Sequence, residues 1–179
     1  ALTKQHTYAL PAFYPYATQP NGEIGLQAEV FYKIPKKTKL GGKYGTQISI
    51  NYSNAYAIDR QAIHDTIPVG TQGTLGYESD FFATGSEIYF QDFNISFSRK
   101  LNKKWKVSGM YMNQQYNKNV IEGKPGFLKA NIAVLEGKVK LKPKHTLRFE
   151  LQGLFMNEDT VKKNTDQGSW AMALCEYTI

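Results

Sequence analysis

Polar and apolar residues alternate along most of this chain. In Leu26-Gln27-Ala28-Glu29-Val30-Phe31-Tyr32-Lys33-Ile34 the even positions are apolar and the odd ones mostly polar. Tyr44, Thr46, Ile48, Ile50 and Tyr52 alternate with glycine and polar residues, as do Phe93, Ile95 and Phe97. Trp105, Val107, Gly109 and Tyr111 are opposed by Lys106, Ser108, Met110 and Met112, and Leu135, Gly137, Val139 and Leu141 by Glu136, Lys138 and Lys140. Leu147, Phe149, Leu151, Gly153 and Phe155 stand against Arg148, Glu150 and Gln152. Ser169 to Ile179 is strand-like with two fairly apolar faces, so its orientation stays open. A period of two side chains marks a strand with unlike faces, and no helical stripe of comparable length competes with it. The pattern predicts an all-β chain of about seven strands. Most of the runs are nine or more residues long, which suits bilayer-crossing strands better than the commonest globular strand of about 5–6.

The connections alternate in length. Pro35 to Lys43, Leu101-Asn102-Lys103-Lys104 and Lys142-Pro143-Lys144-His145 are short and polar, with turn-forming residues. Those near 57–87, 115–126 and 157–168 are longer and hold Gly, Asn, Asp, Thr and Pro. Brief turns at one end and long loops at the other describe an antiparallel up-and-down transmembrane β-barrel. Residues 1–179 are therefore expected to form one β-barrel domain. Seven is an odd count, and the chain stops within a strand at Glu176-Tyr177-Thr178-Ile179 without a terminal aromatic residue. It is thus expected to be part of a longer barrel. Tyr8 to Pro20 is expected to be another outer loop.

Composition sharpens this picture. Aromatic residues are 13% of the chain, with twelve Tyr and ten Phe. Tyr32, Tyr44, Tyr52, Tyr56, Trp105 and Tyr111 lie near strand ends, where barrels place interfacial girdles. No apolar run is long enough for a transmembrane helix, and Ala1-Leu2-Thr3-Lys4-Gln5-His6 carries no signal-peptide core. The net charge of +7 raises nucleic acid as a partner. However, fifteen of the 22 basic residues form three clusters of five, at 33–43, 99–106 and 138–148, around the short turns. Basic residues grouped on turns, rather than interleaved with aromatics along a groove, argue against nucleic acid.

No catalytic, cofactor-binding or metal residues emerge. His6, His64 and His145 have no ligand spacing and read as solvated loop and turn residues, and Cys175 is alone. His64-Asp65 is the one adjacent acid–base pair, and neighbours in a loop rarely form one site. The glycine-rich run Gly70 to Gly76 lacks the strand-to-helix setting of a phosphate loop. The sequons at Asn51 and Asn94 lie inside strands and read as chance matches. Glu29, Asp92, Glu136 and Glu150, with Lys106, Lys138 and Arg148, are expected to face a lumen where water and opposite charges compensate them.

The Tyr- and Asn-rich strands and turns such as Arg99-Lys100-Leu101-Asn102-Lys103-Lys104-Trp105 resemble outer-membrane barrel proteins of the Bacteroidota. Ala12-Phe13-Tyr14-Pro15-Tyr16 through Asn21-Gly22-Glu23-Ile24-Gly25 resembles a family of unknown function there. That resemblance implies the outer membrane of a Gram-negative bacterium, a longer complete barrel, and no activity. The expected role is structural or porin-like transport, without enzyme activity, in contact with outer-membrane lipid and a surface lipoprotein or other membrane subunit. The competing readings are a soluble β-sandwich that binds carbohydrate and a small closed barrel that holds an apolar ligand. Alternation alone cannot separate them, because inverting the faces leaves the pattern unchanged.

Overall fold

The computed structural model describes residues 3–20, 22–71, 76–156 and 168–179. The alternating segments become seven strands: β1 (Glu23–Ile34), β2 (Thr46–Ile58), β3 (Thr84–Lys100), β4 (Trp105–Asn117), β5 (Phe127–Lys142), β6 (His145–Met156) and β7 (Trp170–Thr178). They form one sheet in chain order, every neighbouring pair antiparallel. The sheet is open, with β1 and β7 as its edges, so these strands do not close the barrel that loop parity predicts. Closure requires the first and last strands to meet, and β1 and β7 are not paired.

Antiparallel order places the three short connections at one end of the sheet. Gly42, in the first of them, lies against the Arg99 guanidinium at the end of β3. Lys104 in the second accepts a hydrogen bond from the Lys140 amide near the third. The third is a two-residue turn, Pro143-Lys144, in which Lys144 takes a left-handed backbone (φ 67°). The long connection after β2 starts at Asp59, and β3 begins earlier than alternation indicates, because a bulge interrupts it. Ala55 pairs with Phe90 but Tyr56 with Ile88, so Tyr89 and Phe90 are both buried. Between β4 and β5 lies one helical turn, α1 (Lys118–Ile121), which no periodicity announces. Asn117 caps it by accepting from the Asn119 and Val120 amides at 3.1 and 3.3 Å. The connection expected at 157–168 and the middle of the run at 70–76 lie almost wholly outside the described residues.

The leading segment is not an outer loop. Residues 3–20 lie across one face of the sheet and bond to β1, β3, β4 and β6. Solvated loops rarely carry Leu10, Tyr14 and Tyr16 so close together, and all three pack into the buried apolar cluster.

Candidate functional site

The strand register assigns every side chain to one of two faces. One face carries aligned rows such as Tyr32–Ile48–Phe97–Gly109–Leu135–Leu151–Ala173 and Val30–Ile50–Ile95–Tyr111–Ala133–Gly153–Ala171. A Cβ at Gly109 would overlap the Phe97 ring, so glycine lets that ring lie flat over β4. Toward the short turns the rows end in Val107–Gly137–Phe149–Cys175 and Trp105–Val139–Leu147–Tyr177. Toward the long loops they pass through Tyr52–Phe93–Asn113–Asn131–Phe155 and become polar at Asn54–Gln91–Gln115–Lys129. Five rows two residues apart run roughly 27 Å along the strands, at about 3.3 Å per residue. The register also settles β7: Ala171, Ala173, Cys175 and Tyr177 share this apolar face.

The opposite face is polar toward the short turns and apolar toward the loops. The covered face buries polar residues together with Met112, Ile132 and Leu154, while the other face leaves its apolar side chains exposed. Asn51, Asp92 and Asn94 have 0% exposure, whereas Phe149 is 44% and Leu151 58% exposed. A large apolar side chain left in water forgoes about 1.5–3 kcal/mol of burial, while a buried polar group must find a partner.

Residues 3–20 supply many of those partners. Lys4 pairs with Glu29 of β1. His6 Nε2 lies 2.6 Å from Asp92 Oδ2, and Asn94 donates to the other Asp92 oxygen at 2.8 Å. The Leu10 amide donates to Gln152 Oε1 at 2.8 Å, and Gln114 donates to the Tyr14 carbonyl at 3.1 Å. Tyr14 packs on Tyr116 and Tyr16 stacks on Phe90, with ring centroids 5.3 and 5.2 Å apart. Beside them the acidic side chains of β5 and β6 are tied together. Arg148 donates to Glu136 at 2.8 Å and to Glu176 at 3.2 Å, and also bonds Glu150. Lys138 lies 3.5 Å from Glu136.

The acidic residues expected to meet lumen water therefore meet protein: Asp92, Glu136 and Glu150 are buried beneath or beside the segment. His6, expected to be solvated, is one of its anchors, and the sequence alone shows no link between positions 6 and 92. Asn51 and Asn94 are fully buried, so neither sequon is reachable in this fold. His64 and Asp65 are exposed in the connection after β2, with no side-chain partner among the described residues. His145 Nδ1 meets the Tyr177 hydroxyl at 2.6 Å near the short turns. Tyr32, Trp105 and Tyr111 stand exposed on the apolar face, but of the three only Trp105 lies in an end row, while Tyr32 is in the central one.

Burial, then the carboxylates of Glu136 and Glu150, hold the Tyr8 hydroxyl above its ordinary ionisation range, and Arg148 opposes them. Burial and then Glu122 raise Tyr14. Burial and then the hydrogen bond to Glu23 raise Tyr16 further. Released tyrosines would ionise near pH 10. Above that pH the docked segment holds more protons than the released one, so docking is at full strength below about pH 10 and weakens as pH rises. Protease cleavage within residues 3–16 is expected to accelerate above pH ~10, and Tyr16→Phe to move the onset upward. Cleavage that does not change across that range would remove the tyrosines from the docking equilibrium.

No curated protein and no solved structure matches this chain. A family model described as a family of unknown function, DUF6029, matches residues 1–179. With the match covering its whole length, the chain belongs to the DUF6029 family.

Proposed function

We propose that this chain is a section of the wall of an outer-membrane β-barrel in a Gram-negative bacterium, its apolar face against lipid and residues 3–20 packed inside. The observation that carries this reading is the uncovered apolar face, with exposed apolar side chains, Phe, Ile and Leu among them, across all seven strands, backed by a covered face that buries Asp92, Asn51 and Asn94. The apolar rows form a band bounded by cations at one end and Asn, Gln and Lys at the other. Its extent is of the order of the ~25 Å apolar belt that such barrels present to hydrocarbon. The free backbone edges of β1 and β7 would pair with strands from outside this sheet, because an unpaired edge in lipid leaves amides and carbonyls unsatisfied. With its polar face occupied by the leading segment, the section acts as structure or as part of a plugged conduit. No chemistry is assigned to its residues.

The unclosed sheet also favours a second reading, a soluble sandwich whose other sheet covers the apolar face. Polarity-sensitive labels on single cysteines at positions 149 and 151, with exposed position 47 as the control on the opposite face, in a Cys175→Ala background, separate the two. Lipid-borne quenchers are expected to reach 149 and 151 and to miss 47. Labels at 149 and 151 that stay dry and unquenched would discard the membrane wall in favour of the sandwich.

A further inference from the structure

We infer that the short-turn end of the sheet binds the phosphates of anionic lipid headgroups, an inference that rests on the membrane-wall reading. Three basic clusters far apart in sequence are brought by antiparallel order to a single end. Of their fifteen cations, only Lys138 and Arg148 have a carboxylate within 4.0 Å among the described residues. Lys100, Lys106 and Lys138 stand opposite one another on the polar face, so the cations offered to lipid are those of the turns and of the apolar face.

Arg99 points to the identity of the missing anion. The register puts it on the apolar face, between Thr46 and Val107, at the row where the apolar band gives way to the basic turns. Its guanidinium lies over Gly42, and its Nε is buried without a hydrogen-bond partner. A planar guanidinium on the apolar face at that depth suits the oxygens of a phosphate. Trp105 and Tyr177 share the next row, and Lys43 lies 5.9 Å from the centroid of the Tyr44 ring. An apolar face that runs directly into aromatic rings and unpaired cations matches acyl chains that end in phosphate. A soluble polyanion would use the cations and leave the adjoining apolar rows uncovered.

The experiment uses Trp105 as reporter in a Trp170→Phe background, since the chain has two tryptophans. The protein is folded into mixed vesicles of phosphatidylcholine and phosphatidylglycerol. Bromine sits on the acyl carbons nearest the headgroup of one lipid or the other. Brominated phosphatidylglycerol is expected to quench Trp105 more than brominated phosphatidylcholine at equal mole fraction, and added salt to narrow the difference. A cation near an anionic surface favours that lipid by up to about fivefold. Arg99→Gln with Lys103→Gln and Lys104→Gln is therefore expected to lower the preference by roughly tenfold or more. Quenching of the variant by brominated phosphatidylcholine reports that it has still inserted. Equal quenching by the two lipids, or a preference that survives all three substitutions, would overturn headgroup binding while leaving the membrane wall standing. No quenching by either lipid would overturn both.

Discussion

Leu151→Arg is expected to destabilise the protein folded in lipid by about 2–4 kcal/mol, and Gln47→Arg by much less. A cation held against hydrocarbon near mid-depth cannot be hydrated, which sets that magnitude for lipid-facing barrel positions. Leu151 lies in the central row of the apolar face, between Leu135 and Ala173, 58% exposed. Gln47 is on the opposite face toward the short turns and is exposed, so an arginine there can reach water. Gln152 would not serve as the mild control, although strand alternation alone recommends it. Its side chain is buried, accepts the Leu10 amide and donates to Glu150, so Gln152→Arg would push residues 3–20 off the sheet. Urea titration of the protein in vesicles measures all three variants. Equal losses for Leu151→Arg and Gln47→Arg would contradict lipid contact at position 151.

His6→Ala is expected to release the leading segment at a cost of about 3 kcal/mol or more. Asp92 is fully buried on β3, its two oxygens engaged by His6 and Asn94. Removing the imidazole leaves a carboxylate with one neutral donor and no access to water, a larger penalty than losing an ordinary hydrogen bond. His6→Ala combined with Asp92→Asn should lose less than His6→Ala alone, because the stranded charge is gone. The non-additivity is the measurement that matters, since both substitutions touch one bond. Hydrogen exchange of the amides from residue 3 to 16 reports docking separately from folding of the sheet. If the double variant exchanges as fast as the single one, the carboxylate is not what makes the imidazole necessary.

Strand number, antiparallel order and the shared end of the short turns were legible because alternation and turn chemistry are local properties. Leu147 to Phe155 announces a strand wherever it is placed, and Pro143-Lys144 announces a tight reversal. The bulge at Tyr89 and Phe90 was not legible, because two consecutive aromatics look alike whether or not both point inward. The turn of helix at Lys118–Ile121 is too short to have a period. Neither face of β7 is polar enough to choose an orientation until its register with β6 places Cys175 opposite Phe149.

By itself, then, the sequence determined an all-β chain whose long strands carry unlike faces, with its cations grouped around the short turns. It determined this because neighbouring side chains on a strand must point to opposite sides. Only the tertiary structure decided which face is covered and by what. Leu10, His6 and Lys4 reach Gln152, Asp92 and Glu29 across separations of 142, 86 and 25 residues, and no local pattern encodes such contacts. The tertiary structure also left the sheet open, since closure depends on what the edges of β1 and β7 meet. Alternation specifies two faces, and an additional layer of chain decides which of them is the inside.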